Sequence, residues 1–545
     1  MAEIISADSF SSATLGAPGT FVVIEPPPPT AVGPATNVGG VVGTASWGPK
    51  NTPVLMGSYN QAVASFGNVT SAAISGGPSG AADPFDMATD LQLAFNQAQG
   101  SGVSIGIWGV RVTDGTDVSA SVALKDTTSG SPLTGGTLTA LYTGTMGNLL
   151  QVAIYAGSAA NTSSVKLQGF SGGQIEVFPN LPSGAAGVFW TALANALANG
   201  ISGVRGPSQL ARLLTPSGTA ISPALGTFTL TGGTDGRSAV TTADLTGSNT
   251  AFPYTGAYAL QQLSPNVTMF WIAGLTDSTA YANMLSLAAG MGAAFPITFP
   301  TGTSTSTAVT DLQGYGVADY HILPLKDWLY FFDAVNNVVR LVTPFAVAIG
   351  RMLTLSPAVS PLNKPVYGIV GTERNNPLTG VNQPYTYAEA SQLQAAGITV
   401  IDNPSAGGNY FGFQQGVNAS SNTTESPIEF TRMTNYLAGW INSISGQFIG
   451  QNQTALPGDP LRAQVRAAYN SGITILVRTG LVAAGSIQCD SSNNPEATVA
   501  AHQLYAYFKF TYLSSVWYFV AQLSGGTTVV TSGSTLNSAL QGQPA

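Results

Sequence analysis

The most constraining feature of the chain is a stiff spacer near its N-terminus. The segment Gly16-Ala-Pro-Gly-Thr-Phe-Val-Val-Ile-Glu25 holds a short apolar run, Phe21, Val22, Val23 and Ile24, and the prolines 26–29 follow directly. Proline lacks the N–H of a ladder donor and favours the extended polyproline helix, so this spacer cannot itself be a strand. The next apolar run begins near Val38. A strand tethered in this way is poorly placed to pair beside its sequence neighbour and well placed to reach another molecule. An apolar strand left alone would be an exposed edge and an aggregation hazard.

Composition narrows the class. The chain has 545 residues, enough for two to four domains with a sizeable core. Charged residues are only 8 % of the total, against a usual share of about 25 %. With 64 glycines and 33 prolines, turns and extended chain are favoured. Aliphatic and aromatic residues are interleaved throughout, so the composition is not that of a disordered chain. A surface built on hydroxyls and amides resists self-association weakly, which suits a protein buried in an assembly.

The net charge is −8, and the 17 basic residues are scattered. Nucleic acid is therefore not expected as a direct partner, because phosphate tracking needs clustered Lys and Arg. A single cysteine, Cys489, excludes an internal disulfide framework and a cysteine-based zinc site. The first residues lack the basic and apolar regions of a secretory signal. The most apolar stretch, Leu341 to Val359, is broken by Pro344, Arg351 and Pro357, so no membrane insertion is expected.

Periodicity gives the organisation. Asp83-Pro84 reads as the start of a helix with Met87, Leu91, Phe95 and Ala98 on one stripe and Gly100 at its end. Strands near Val38–Thr44 and Val103–Val112 flank it, which predicts a β-α-β unit. Strand-like segments dominate 113–237, with one helix near Phe189–Asn199. Strands and helices then alternate: Asn266–Ala273 and Pro365–Val370 read as buried strands, and Thr386 with Glu389 forms a capping box for a helix closing at Gly397 before the strand Ile398–Ile401. Ser426-Pro427 and Asp459-Pro460 start two more helices, the second closing at Gly472. The runs Leu504–Tyr512, Val516–Leu523 and Thr527–Thr531 read as strands. The fold class expected is mixed α/β (α+β) and multidomain. An N-terminal arm (1–25) precedes an α/β core (26–112 plus 238–430). That core is interrupted by a β-rich insertion (113–237) and followed by a C-terminal domain with a C-terminal arm (431–545).

Catalytic readings are weak. Gly43 to Gly48 followed by Pro49-Lys50 lacks the Gly-Lys-Ser/Thr order of a phosphate loop. His321 and His502 are the only histidines and stand apart in sequence. Asp114-Gly-Thr-Asp117 and Asp235-Gly236 do not continue with the alternating oxygens of a calcium loop and read as turns. Glu425 and Glu429 suit a helix start better than an acid/base pair. Cys489 reads as a small buried apolar residue. No enzyme activity, cofactor or metal is expected.

The opening strand and the turn Val42-Gly-Thr-Ala-Ser-Trp-Gly-Pro49, with Pro53-Val54 and Phe66-Gly67 after it, resemble the first segments of contractile bacteriophage tail sheath proteins. Four further elements follow in that family's order. They are Val110-Arg-Val112, Ala140-Leu-Tyr-Thr-Gly-Thr-Met-Gly-Asn148 with the strand Val152–Ile154, Leu230-Thr-Gly-Gly-Thr-Asp-Gly236, and Cys489-Asp-Ser-Ser-Asn-Asn-Pro495. The resemblance implies a structural subunit that polymerises with itself around a tail tube and contracts to drive the tube through a bacterial envelope for genome delivery. It implies baseplate and tail terminator proteins as further partners, and a place in the tail of a virion assembled in the bacterial host cytoplasm. By the same resemblance each subunit lends its N-terminal strand (Phe21–Ile24) to a neighbour's C-terminal sheet. Its C-terminal extension, with Val516, Trp517, Tyr518, Phe519 and Val520, reaches another neighbour. The insertion should protrude on the outside. The C-terminal domain should face the tube, with Arg462 and Arg466 on one side of the helix from Pro460 as candidate contacts to tube carboxylates. The sheath of a related contractile injection system is an alternative. A secreted β-rich glycan-active enzyme or adhesin is the alternative of another class.

Overall fold

In the computed structural model, residues 3–6, 21–24, 35–68, 85–170, 174–264, 266–405, 407–521 and 523 are described. The predicted β-α-β unit is present. Val38–Gly43 and Gly106–Arg111 are adjacent parallel strands, with Val42 opposite Val110, and the helix Met87–Ser101 connects them. Met269–Ile272 adds in parallel on one side and Val54–Met56 antiparallel on the other. A second sheet runs Phe295–Thr298, Ile322–Lys326, Thr399–Asp402 and Gly412–Phe413, its first three strands parallel. A parallel bridge between Met269 and Ala294 joins the two sheets. The parallel strands among these are largely apolar and buried on both faces, as parallel strands covered by helices must be, whereas the edge strand Val54–Met56 exposes Leu55. The helix Phe345–Leu353 is buried along its whole length and crosses Met87–Ser101. Gly350 permits the close crossing, since a Cβ there would lie 2.8 Å from the Cα of Ala94.

Helix ends follow local chemistry, with two corrections. Asp83 and Pro84 lie outside the described residues. The helix begins at Met87 with Asp86 as its N-cap, accepting from the Thr89 N–H at 3.1 Å, and it ends at a left-handed Gly102 rather than at Gly100. The Thr386/Glu389 capping box and the Gly397 cap stand as read. The helix Pro460–Arg478, however, passes straight through Gly472. That glycine serves packing: a Cβ on it would sit 2.4 Å from the indole of Trp440. The segment 365–370 is not a strand. Pro365 makes only an isolated antiparallel bridge with Gly412, and the Val366 and Val370 N–H groups donate to Phe411 (2.9 Å) and Tyr330 (2.7 Å) on different elements. Between them Gln97 holds both backbone groups of Tyr367, and Arg351 Nε donates to the Pro365 carbonyl at 2.8 Å, so no continuous ladder forms.

Between Arg111 and Arg237 the chain builds two antiparallel sheets. One orders Ala211–Leu214, Thr134–Ala140 and Ser121–Lys125. The other orders Ile175–Pro182, Thr162–Gln168, Gln151–Ala156 and Gly226–Thr229. With the helix Val188–Asn199 they enclose an apolar cluster separate from that of the α/β core. Trp190 anchors it: a Cβ on Gly135 would fall 1.9 Å from the indole, so only glycine admits the ring. One member comes from the core, because Trp47 projects from the Val42–Pro49 turn and meets Tyr142 and Phe170 edge-on at 5.4 Å each. A third cluster lies between the helices Ile428–Ser445 and Pro460–Arg478 and the two-stranded sheet of Ala484–Gln488 and Tyr507–Thr511.

Candidate assembly surfaces

In a chain read as a building block, the places to look are unsatisfied strand edges and apolar side chains without cover. The N-terminal strand Phe21–Ile24 is present, and within the single chain it pairs in parallel with Glu3–Ser6, Phe21 opposite Glu3 and Ile24 opposite Ser6. This intramolecular pairing uses one edge of the strand and does not bear on the expected pairing with a neighbouring copy. Among the described residues these two strands form a sheet of their own.

The C-terminal segment departs further from expectation. Val516, Trp517, Tyr518, Phe519 and Val520 carry no strand in the single chain. Residues from Ser514 onward form a separate unit. Phe519 is 91 % exposed and Val520 82 %, with Val516, Tyr518 and Leu523 also exposed. Thr527–Thr531 lies outside the described residues. No charged residue follows Lys509, so no charge in this segment offsets the apolar surface.

The two-stranded sheet of the C-terminal lobe is short, and one face of it is covered. Ile487, Phe508 and Phe510 turn toward the helices, while Ser486, Tyr507 and Lys509 face outward. Beside it lies a groove of about 400 Å³ whose walls include Phe448, Leu461, Tyr469, His502 and Phe508.

The arginines of the helix Pro460–Arg478 require a correction. Arg462 is 1 % exposed. Its guanidinium donates to the Thr454 carbonyl at 2.6 Å and to the Leu456 carbonyl. Asp459 caps the same helix and accepts from the Arg462 N–H at 3.0 Å and the Thr454 N–H at 2.7 Å. Arg462 therefore pins the loop that enters the helix and is not a surface contact. It faces inward because an arginine near the helix start can reach the preceding loop, and helical spacing alone could not separate that from an outward stripe. Arg466 is half-buried and donates to the Cys489 carbonyl. Cys489 is fully buried, and burial pushes its thiol pKa up.

The remaining candidates resolve into structure. Gly48 has a φ of 99° and a Cβ there would meet the Ser65 carbonyl at 2.3 Å, so the glycines at 43–48 make a tight turn. Lys50 pairs with Asp117 at 3.0 Å. His321 Nδ1 lies 2.7 Å from Asp319 and its ring lies 4.1 Å from that of Tyr320. Among the described residues no group of three or more His, Cys, Asp or Glu is placed to hold a metal, and no helix is long and apolar enough to cross a membrane.

Two buried arginines escaped the sequence reading. Arg111 is fully buried where the core strand leaves for the inserted lobe. It donates to the carbonyls of Gly48 (2.8 Å), Thr143 (2.7 Å) and Asp235 (3.0 Å), which joins the outgoing chain, the lobe and the returning chain. Burial pushes its pKa down to about 10, opposed by Asp117 and Asp235. Asp235 accepts from Thr145 and pairs with Arg237 at 3.1 Å. Arg432, inside the helix Ile428–Ser445, donates to four carbonyls of 352–359, and burial holds its pKa at about 10. A cation set between apolar residues of a charge-poor chain, as in Val110-Arg111-Val112, was the available signal.

No family model matches the sequence, and no curated protein matches it either. Solved structures do. The sheath tail protein Lin1278 from Listeria innocua aligns at 12 % identity over 87 % of this chain and 95 % of its own, with a TM-score of 0.55. A sheath tail protein from Desulfitobacterium hafniense aligns at 11 % identity over 91 % of this chain and 100 % of its own, with a TM-score of 0.47. A chain of the anti-feeding prophage baseplate aligns at 10 % identity over 94 % and 99 %, with a TM-score of 0.49. The likeness to the Listeria protein carries the conclusion about architecture: this chain has the fold of a sheath tail protein.

Proposed function

We propose that the chain is a structural, non-enzymatic subunit that polymerises with copies of itself into a contractile sheath around a tube. The observation that supports this most is the fold, which follows that of a sheath tail protein along nearly its whole length. The exposed apolar residues of the C-terminal segment fit the same reading. In it, Phe21–Ile24 leaves its partner Glu3–Ser6 or keeps it as a pair, and adds to a neighbour's Ala484–Gln488/Tyr507–Thr511 sheet. Val516–Val520 pairs on a further copy. Backbone ladders between copies keep the mesh connected while rigid bodies move. The energy is stored at assembly in a kinetically trapped lattice, so no nucleotide is consumed.

The finer partners belong to the same proposal: a tail tube protein inside the sheath, a baseplate at one end and a terminator at the other. The tail of a virion assembled in a bacterial cytoplasm is one setting. A contractile injection system that is not a virion is the other. The region 113–237 is proposed as the outward lobe and the region from 431 as the tube-facing one. With Arg462 buried, Arg466 alone remains of the two proposed tube contacts.

Negative-stain imaging of the purified chain at rising concentration tests the function. Hollow helical polymers are expected, and deletion of residues 1–25 should leave a folded chain that does not polymerise. A chain that stays monomeric at every concentration, alone and with a tube protein, would overturn the reading.

A further inference from the structure

One helix belongs to two cores. Ile428, at the start of Ile428–Ser445, packs in the α/β core, whereas Met433, Leu437, Trp440 and Ile444 on the same helix build the core of the C-terminal lobe. Arg432 sits at the crossing point. Its Nη2 donates to Met352 (2.8 Å) and Leu355 (2.6 Å), and its Nη1 to Ser356 (3.0 Å) and Val359 (3.2 Å). These are carbonyls at and just beyond the end of the helix Phe345–Leu353, where a cation also suits the macrodipole. A planar fork with five donors can serve four acceptors at once, and an ammonium cannot.

A second set of ties runs beside the first. Thr431 Oγ1 donates to the Tyr320 carbonyl at 2.6 Å. The ring of Phe430 lies 5.6 Å from that of Tyr320 on the core side and 5.6 Å from that of Tyr512 on the other. Thr434 Oγ1 and the Tyr512 hydroxyl are 3.0 Å apart. Tyr512 directly follows the strand Tyr507–Thr511.

We propose that Arg432 is a positioning residue that locks the C-terminal lobe to the α/β core, so that the two move as one lever and Tyr512, the last tie before the C-terminal segment, is held to the core. The helix is the single stretch of chain that joins the two cores, so without side-chain ties only its own N-terminal turn would set the orientation of the lobe. The guanidinium closes that freedom by fixing the helix to a second element at the point of emergence. This property belongs to the single chain and does not depend on the sheath reading.

The test is a distance distribution between spin labels at Thr310→Cys, exposed on the core helix Thr305–Tyr315, and Ala467→Cys, exposed on Pro460–Arg478, in a Cys489→Ala background. The otherwise unchanged chain should give one narrow distribution. Arg432→Met should broaden it while the circular dichroism of the chain is kept, and Arg432→Lys should fall between the two. A narrow distribution in Arg432→Met would overturn the proposal. So would an Arg432→Lys distribution as narrow as that of the unchanged chain, since an ammonium cannot serve four carbonyls; one as broad as that of Arg432→Met supports the proposal, because both variants keep an alkyl stem and neither keeps the fork. If Arg432→Met does not fold, hydrogen exchange of Arg432→Lys decides: faster exchange confined to 428–436 supports the lock, and unchanged exchange there refutes it.

Discussion

The inserted lobe and the C-terminal lobe are joined to the same core by opposite means. The inserted lobe is crossed twice by the chain, outward after Arg111 and back near Arg237, and its junction is rich in charge of both signs: Lys50, Arg111 and Arg237 against Asp114, Asp117 and Asp235. The C-terminal lobe emerges on one continuous helix, and its junction rests on Arg432 hydrogen-bonded to neutral carbonyls. A junction that the chain crosses twice is already restrained by connectivity, so polar groups there set orientation. A junction on a single helix has no such second strand and depends on the side chains that flank the point of emergence, Arg432 together with Thr431 and Phe430. The first should respond to acid and salt, the second to the shape of one guanidinium.

The largest effect expected from breaking this comparison is at Arg111. Replacing it with Met leaves the Gly48, Thr143 and Asp235 carbonyls without a donor and removes the cation beside Asp117 and Asp235. Loss of one partner from a buried charged cluster costs about 3–5 kcal/mol. Chemical denaturation of Arg111→Met should show that loss and should separate into two transitions, with the inserted lobe uncoupled from the core. A single transition with unchanged midpoint would show that connectivity alone holds the lobe.

A pair of glycines sharpens the comparison within the lobes. Gly135 admits Trp190 in the inserted lobe, and Gly472 admits Trp440 in the C-terminal lobe, with Cβ approaches of 1.9 and 2.4 Å. Gly135→Ala and Gly472→Ala should each cost about 1–3 kcal/mol through overpacking. Gly472 lies inside a helix, where Ala is favoured over Gly by up to about 1 kcal/mol. Gly472→Ala should therefore be the milder of the two, and thermal melts of the two variants rank them.

Glycine 472 also marks where the sequence stopped being informative. A glycine after an amphipathic stripe reads as a helix end, and only the facing tryptophan, from a different helix, explains why this one is interior. The β-α-β unit, the Thr386 capping box and the two β-rich sheets of the insertion follow from local pattern, because periodicity and caps are short-range signals. Arg462 and the 365–370 segment were misread for the same reason as Gly472: their partners, the Thr454 loop and Gln97, are set by tertiary contact. The proposed arm strands lie between these cases. Phe21–Ile24 was legible as a strand, but its pairing with Glu3–Ser6 was not, since neither periodicity nor a turn signal connects them. Val516–Val520 has strand composition and, in a single chain, no ladder to join.

The smallest effect concerns acid. At the inserted-lobe junction, burial works against ionisation of Asp117, yet hydrogen bonds from Thr143, Lys50 and Thr113 hold its pKa below the usual value. The Asp114 pKa is also lowered, first by the Thr116 hydroxyl and then by the Thr116 N–H, with a contribution from Ala239 N–H on the returning chain. A carboxylate whose folded pKa is depressed contributes stability that is present above its unfolded value near 4 and is lost as pH falls through the folded one. The inserted lobe should therefore loosen below about pH 4, whereas the four carbonyls that hold Arg432 do not titrate and the one carboxylate acting on it, Glu429, makes none of those bonds. Lys50 is nearly half exposed, so Lys50→Ala should cost only about 0.2–1 kcal/mol and less at high salt. Asp117→Asn should remove part of the acid dependence and leave Arg432-linked exchange at 428–436 unchanged. Hydrogen exchange across pH 3–7 (a range of about four units around these carboxylates) reads both junctions in one experiment. Equal loosening of the two lobes in acid would erase the distinction between them.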